Sequence, residues 1–280
     1  MNSIDSGSVA ATPRTPLKVS VITVSFNSAR TIGDTLASVA AQTYPHIEHL
    51  VIDGASTDNT VEVVQQFGTR VSRLISEPDT GIYDAMNKGL ALAQGDLVGF
   101  LNADDMYADA GAVAAIVEAA NHSGAQALYG DLIYVRAHDR QSAVRVWRSD
   151  AFAPNGLRFG WMPPHPTLYV RRDTMNALGG FDTSYRISAD YDFVLRCFGD
   201  PEITSHYIPR VLVKMRMGGA SNKSVHALRQ KSAEDLRALR LNRAGGLGTL
   251  FCKNFRKLPQ FFRRAPENMN TDRSTGSISE

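Results

Sequence analysis

Apolar and polar positions alternate in blocks along the first hundred residues. Residues 19–24 are apolar and β-branched, as a central strand requires. Residues 47–52 and 71–75 read as second and third strands, and 97–101 form a short apolar run fit for a fully buried one. Between them apolar residues recur every three or four positions. Ile32, Leu36, Val39 and Ala40 mark one helix, and Val61, Val64 and Phe67 a second. Ile82, Ala85, Met86, Gly89, Leu90 and Ala93 mark a third, which Gly95 and Asp96 close. Strands alternating with helices predict a parallel, doubly wound α/β sheet.

The alternation breaks afterwards. A routine core helix around Val113 and Val117 is followed by two strands, 127–135 and 143–147, separated by a polar turn, so the sheet becomes mixed. Residues 152–166 are rich in Gly, Pro and aromatics, and a loop of that length in a compact domain is often functional. A strand at 167–170, short helices at 173–178 and 192–198, and strands at 203–208 and 211–217 complete the domain. The pattern from 224 to 241 is helical and highly charged. Leu247, Leu250, Phe251 and Phe255, then Leu258, Phe261 and Phe262, continue as a basic amphipathic stripe, which Pro259 would kink. Such a stripe either lies on an anionic membrane surface or packs on the domain with its basic residues in water. No internal repeat is present.

Composition narrows the class. The chain has 280 residues, 43% hydrophobic and 21% charged, an ordinary globular balance. A net charge of +2 gives no case for nucleic acid. Two cysteines, Cys197 and Cys252, offer neither a disulfide framework nor zinc spacing and fit a reducing, cytoplasmic setting. Residues 1–16 lack the apolar core of a signal peptide and read as a disordered leader, as 265–280 read as a disordered tail.

The chemistry gathers at strand ends. Asn102, Ala103, Asp104 and Asp105 follow the fourth strand, at the edge where open α/β sheets bind ligands. Adjacent carboxylates repel unless something relieves them. A hard divalent cation does so, taking one or two carboxylates and completing its shell with phosphate oxygens and water. The alternative is that both acids cap a helix beginning near Asp109.

The segments 20–28 (SVITVSFNS), 50–60 (LVIDGASTDNT), 79–89 and 102–105 (NADD) stand in an order and spacing that resembles the family 2 glycosyltransferases of the GT-A fold, over residues 17–220. The resemblance implies inverting sugar transfer from a nucleotide-sugar donor with a divalent metal, Mg²⁺ or Mn²⁺. It divides residues 17–222 into a nucleotide-binding half, 17–105, and an acceptor half, 106–222, followed by a helical extension over 223–264. It makes Asp105 the metal ligand and Asp104 the ribose contact or a second ligand. Asn102 stands where the family commonly has an acid, and its amide oxygen remains a weaker ligand. Phe26 falls where the family stacks an aromatic on the base, or is a core residue. Asp53 contacts the base, or stabilises its turn. Asp79 touches donor or metal, or is solvated.

In the acceptor half the resemblance points to Asp190, within 186–196 (RISADYDFVLR), as the base that takes the acceptor's proton. Asp192 is the second choice, and both also suit a helix N-terminus. Ala189 replaces a Glu frequent in the family. His165 resembles a recurrent acceptor-side histidine. Trp161 and Phe159 offer a sugar platform, with core packing favoured for Phe159. Arg171, Arg172 and Lys223 are weaker phosphate candidates. The expected acceptor is a glycan or lipid-linked hydroxyl of a bacterial surface polysaccharide or glycolipid, met in the cytoplasm or on the inner membrane face through 247–264. UDP is the first choice of nucleotide and GDP the second. Two other classes remain: a non-catalytic sugar-nucleotide-binding protein, and a nucleotidyltransferase. The latter would want a glycine-rich loop after the first strand, which 25–30 (SFNSAR) lacks.

Overall fold

The structure, a computed structural model, describes residues 15–217 and 225–256. The first half is laid down as strand and helix in turn. β1 (Val19–Ser25), α1 (Ile32–Ala40), β2 (Ile47–Asp53), α2 (Thr60–Phe67), β3 (Val71–Ser76), α3 (Ile82–Leu92) and β4 (Leu97–Phe100) follow one another. β3, β2, β1 and β4 lie side by side and all parallel. After them come β5 (Met106–Tyr107), α4 (Ala112–Ser123), β6 (Ala127–Arg136) and β7 (Asp139–Trp147). β8 (Tyr169–Arg171), α5 (Arg172–Ala177), α6 (Ala189–Gly199) and β9 (Ser205–Arg216) close the domain. β8 runs antiparallel to both β4 and β6, so the sheet is mixed where the alternation broke.

Alternate residues of β1 feed opposite faces, as the two-residue strand period demands. Ile22 and Val24 meet Met86 and Leu90 of α3 and the core beneath α6. Val19 and Val21 meet α4 and Val39 of α1. Gly89 belongs to the first contact: a Cβ there would clash with Ile22, so α3 sits closer to the sheet than any other residue would permit.

Several local expectations change. The two strands at 203–208 and 211–217 are one strand, β9, with Pro209 and Arg210 at a bulge between the pairs Gly130↔Ile208 and Asp131↔Val211. A bulge spares the ladder the N–H that proline lacks. Tyr83, not Ile82, faces the core: Tyr83 is buried and Ile82 exposed. Ala40 and Phe67, expected inside, are exposed. Arg171 pairs with Leu97 at the amino end of β4. It and Arg172 therefore lie at the sheet edge opposite the one that carries the NADD segment.

The helical extension is α7 (Val225–Leu241) and α8 (Leu247–Phe255). α8 is docked by a buried ion pair: Lys253 Nζ lies 2.8 Å from Asp235 Oδ2 and 3.1 Å from the centre of the Tyr191 ring. Burial alone would raise the Asp235 carboxyl. Lys253 and Lys231 outweigh it and hold that carboxyl below the usual range. Gly160 lets the α8 backbone approach, since a Cβ there would collide with the main chain of Lys253. The opposite face is bare: Leu247, Phe251 and Phe255 are 68%, 61% and 51% exposed. α8 thus packs on the domain and still presents an apolar face. The expectations for residues 1–14, Lys223, Lys257, Leu258, Pro259 and everything beyond lie outside the described residues. Among the described residues no helix is long and apolar enough to cross a membrane.

Candidate active site

The carboxyl ends of β1, β2 and β3 meet in register at Ser25, Asp53 and Ser76. Asp53 is fully buried, and its oxygens are engaged from all three strands. Oδ1 accepts from Ser25 Oγ at 3.0 Å and Ser56 Oγ at 2.5 Å; Oδ2 accepts from Ser76 Oγ at 2.7 Å and Ser56 N at 2.8 Å. One carboxylate therefore ties three loop entrances together. Asn27, at φ 49°, joins the first two loops: its Oδ1 accepts from Thr57 N at 2.9 Å, while its N–H donates to Ser56 Oγ at 2.8 Å. Above this frame Phe26 stands 62% exposed, which answers the alternative that it is a core residue. Phe26 and Asp79 flank Gly54, where a Cβ would strike the Asp79 carboxylate. Asp79 Oδ1 accepts from Gly81 N at 2.9 Å and so shapes the entry to α3.

The NADD segment begins two residues past Phe100 of β4. α4 starts only at Ala112 with Gly111 as its cap, so Asp104 and Asp105 do not cap a helix. Asp105 is fully buried, and its Oδ1 has no hydrogen-bond partner; neither has the buried Oδ1 of Asn102. Asn102 Nδ2 reaches Asp105 Oδ2 only at 3.4 Å. Burial, then the charge of Asp104, pushes the Asp105 carboxyl well above the usual range, and burial raises Asp104 too. Arg216, at the end of β9, grips the segment from outside. Its Nε donates to Asp104 O at 3.2 Å, its Nη1 to Ala137 O at 3.0 Å, and its Nη2 meets the Asp34 carboxylate. Thr35 Oγ1 donates to Asp105 O at 2.7 Å from the α1 side.

Unpaired buried oxygens are costly, and two of them beside a second carboxylate suit a hard cation that keeps several waters. The residues present fit Mg²⁺ or Mn²⁺ held by Asp105 and Asn102 with Asp104 adjoining. Among the described residues no three His, Cys, Asp or Glu side chains gather as a metal cage. Such a cation would therefore rely on donor phosphates for the rest of its shell.

The acceptor-side candidates reach the same edge because β8 runs backwards. His165, just before β8, stacks on Phe100 with ring centres 5.8 Å apart and meets the edge of Phe181 at 5.6 Å. Burial holds its pKa below the usual histidine value, against the opposing pull of Asp190. Asp190 lies in the first turn of α6. The Tyr83 hydroxyl lies 3.1 Å from Asp190 Oδ1 and 2.6 Å from Ile187 O, one proton between two acceptors. Burial and then Asp190 raise the Tyr83 hydroxyl well above its usual pKa.

Two acceptor-side candidates are placed elsewhere. Trp161 is 4% exposed, donates from Nε1 to Ser149 O at 2.8 Å and packs against Phe152, Phe198 and Tyr129. It is a core residue, whereas Phe159, expected inside, is 59% exposed. Asp192 is buried with both oxygens occupied: Arg196 Nε donates to Oδ2 at 2.8 Å and Asn242 Nδ2 to Oδ1 at 2.8 Å. It locks α6 to its neighbours and is not free to act as a base. Sequence reasoning missed Tyr83 and Arg216. Tyr83 was within reach, one residue from the apolar stripe of its helix; Arg216 meets the NADD segment from 112 residues further along the chain.

Residues 20–176 match Glycosyl transferase family 2. A "PGL/p-HBAD biosynthesis glycosyltransferase" of Mycobacterium bovis (strain BCG / Pasteur 1173P2) is 34% identical over 211 residues, 74% of this chain and 80% of the relative. Among solved structures, S. aureus TarS 1-349 superposes with a TM-score of 0.62 at 19% identity, over 81% of this chain and 64% of that one. The mannosyltransferase PcManGT from Pyrobaculum calidifontis, solved in complex with GDP-Man and Mn²⁺, does so with a TM-score of 0.60 at 21% identity, over 90% and 73%. These structures share the GT-A fold, and the chain belongs to glycosyl transferase family 2.

Proposed function

We propose that this chain is an inverting, metal-dependent glycosyltransferase that moves a sugar from a nucleotide-sugar donor to a hydroxyl of a glycan or lipid-linked acceptor. The observation that carries this reading is the pair of unpartnered buried oxygens on Asn102 and Asp105 at the strand-end edge. The donor's base would lie against Phe26, bounded by Asp79 and the Asp53 turn. Asp53 itself would reach the base only by giving up one of its serine bonds. Asp104 would meet the ribose or join the metal shell. A cation held by Asp105 and Asn102 would neutralise charge on the leaving diphosphate. Asp190 would take the proton of the acceptor hydroxyl as its oxygen attacks the anomeric carbon. The bond from that carbon to the diphosphate oxygen breaks on the opposite face and its electron pair leaves with the diphosphate, so configuration inverts.

Ala189 bears on the rival reading of a non-catalytic binder. It is the first residue of α6 and is fully buried in the core, and the neighbouring Asp190 is present, so the candidate base is kept. UDP remains the first choice of nucleotide: TarS has been solved with UDP-GlcNAc. GDP is the second, as in the mannosyltransferase complex. The mycobacterial relative's role in PGL/p-HBAD biosynthesis supports a bacterial glycolipid or surface-glycan acceptor. Such an acceptor would be met at the cytoplasmic membrane face.

The bare face of α8 suits that location. From 236 to 266 the sequence holds eight Lys or Arg and no acid, beside Leu247, Phe251 and Phe255. The protein should sediment with vesicles containing phosphatidylglycerol and not with neutral ones, and Phe251→Ser should weaken that binding. Equal recovery with both lipids would remove the membrane contact.

The test of the function is thermal unfolding with Mn²⁺ and a panel of UDP-, GDP- and dTDP-sugars. A donor at about 100 times its Kd adds roughly 2.7 kcal/mol, a rise of about 5–10 °C for a domain of this size. One nucleotide should give that rise, and a chelator should abolish it. No rise with any donor would overturn the donor reading.

A further inference from the structure

The base-bearing turn before α6 is held in place by a residue of the C-terminal extension. Helix N-termini leave backbone N–H groups unpaired, and a Ser or Asp side chain normally takes one of them. Ser188 caps α6 but makes no such bond. The turn is instead bound from α7. Glu234 Oε2 accepts from Ile187 N at 2.8 Å and Ser188 N at 3.0 Å, and Oε1 accepts from Arg186 N at 3.3 Å. Three successive N–H groups converging on one carboxylate form an anion nest, here filled from within the chain. The carboxylate is steadied in turn by Gln230 Nε2, which donates to Oε1 at 2.9 Å.

The other side of the same turn is fixed by Tyr83, whose hydroxyl meets Ile187 O and Asp190 Oδ1. Residues 186–188 are thus gripped through their N–H groups by α7 and through a carbonyl by α3, and Asp190 follows two residues later. α7 supports this region at further points. Arg237 Nη2 donates to Ser184 Oγ at 2.9 Å, and Asn242, just past the end of α7, holds Asp192. The matched family segment, residues 20–176, includes Tyr83 but ends before the turn, Asp190 and α7.

We propose that Glu234 is a positioning residue for Asp190, so that α7 of the extension completes the acceptor half of the site. This rests on the reading of Asp190 as the base. A displacement of about 1 Å in a reacting group can cost about 100-fold in rate, which sets the scale expected of Glu234. Donor binding, at the strand ends of β1 to β4, does not draw on Glu234.

The experiment uses the full chain with Glu234→Ala, Glu234→Gln and Asp190→Asn beside the wild type. Three readouts are taken: the melting rise with Mn²⁺ and a UDP- or GDP-sugar, release of the nucleoside diphosphate with water or an aryl glycoside as acceptor, and amide hydrogen exchange. Glu234→Ala should speed exchange of the amides of 186–190 about tenfold or more and slow release about 30- to 100-fold, with the donor-induced rise unchanged. Glu234→Gln keeps one acceptor oxygen for the three N–H groups but loses the charge that strengthens these bonds, so it should show both effects in reduced size, about three- to tenfold, and it decides alone if Glu234→Ala does not fold. Unchanged exchange at 186–190 in both variants overturns the proposal. So does faster exchange with an undiminished release rate, or loss of the donor-induced rise together with release, which would mark general loosening. Asp190→Asn separates the two readings. If it keeps full release, the base assignment fails. If it loses release while the Glu234 variants keep it, only the positioning role fails.

Discussion

Asp190→Asn will slow sugar transfer by about 10²–10⁴-fold and leave the donor-induced melting rise intact. The two side chains have the same shape. An amide oxygen can still accept from Tyr83, so the contact at 3.1 Å survives and α6 keeps its first turn. What is lost is the ability to accept a proton. In an inverting displacement the attacking hydroxyl must shed its proton as the bond forms, and no other carboxylate of α6 can substitute. Asp192 spends both its oxygens on Arg196 and Asn242. The measurement is nucleoside diphosphate release under saturating donor, paired with the thermal shift. Undiminished release in Asp190→Asn would move the base role to its neighbour His165, which burial keeps on the neutral side. A loss of release and thermal shift together would mean the substitution damaged the donor half.

The parallel half of the fold was legible because its signals are local. Each strand from β1 to β4 is a short apolar run followed by a turn. Asp53 and the NADD segment stand at strand ends that the alternation itself locates. Phe26 could be placed at the turn after β1, though not as exposed, since exposure depends on what packs above it. The acceptor half was harder because its logic is tertiary. Two strands were expected around Pro209, as proline normally ends a ladder, yet β6 passes the gap with a bulge. Trp161 and Phe159 exchanged places because a Gly- and Pro-rich loop carries no periodicity from which an inward face can be read. Asp190 and Asp192 are indistinguishable as text, two acids in one helical turn. Only the partners separate them: Asn242 comes from 50 residues further on and closes off Asp192, whereas Asp190 meets Tyr83 from a helix 107 residues earlier. Glu234 left no local signal, because the N–H groups it binds belong to a segment 46–48 residues away.

Asp105→Asn will abolish the donor-dependent melting rise in Mn²⁺, cut transfer by about 10²–10³-fold, and leave the metal-free protein at least as heat-stable as the wild type. The last expectation distinguishes a ligand from a structural acid. Asp105 is fully buried, and its carboxyl is pushed well above the usual range first by burial and then by Asp104. A group whose folded pKa is raised costs stability above that pKa, where its charge must be carried without water, and the cost is relieved as pH falls. The amide carries no charge. The folded state therefore loses a penalty, while the site loses the fully buried carboxylate of the NADD segment. Thermal unfolding with and without Mn²⁺ and donor reads both effects in one series. An acid kept for structure would behave in reverse, melting lower when neutralised and leaving the donor response in place. A retained Mn²⁺-dependent rise in Asp105→Asn would shift the ligand role to Asp104, which is less buried and backed by Arg216. Loss of function with no loss of stability is the signature of a buried charge held for a cation, at some cost to the fold that carries it.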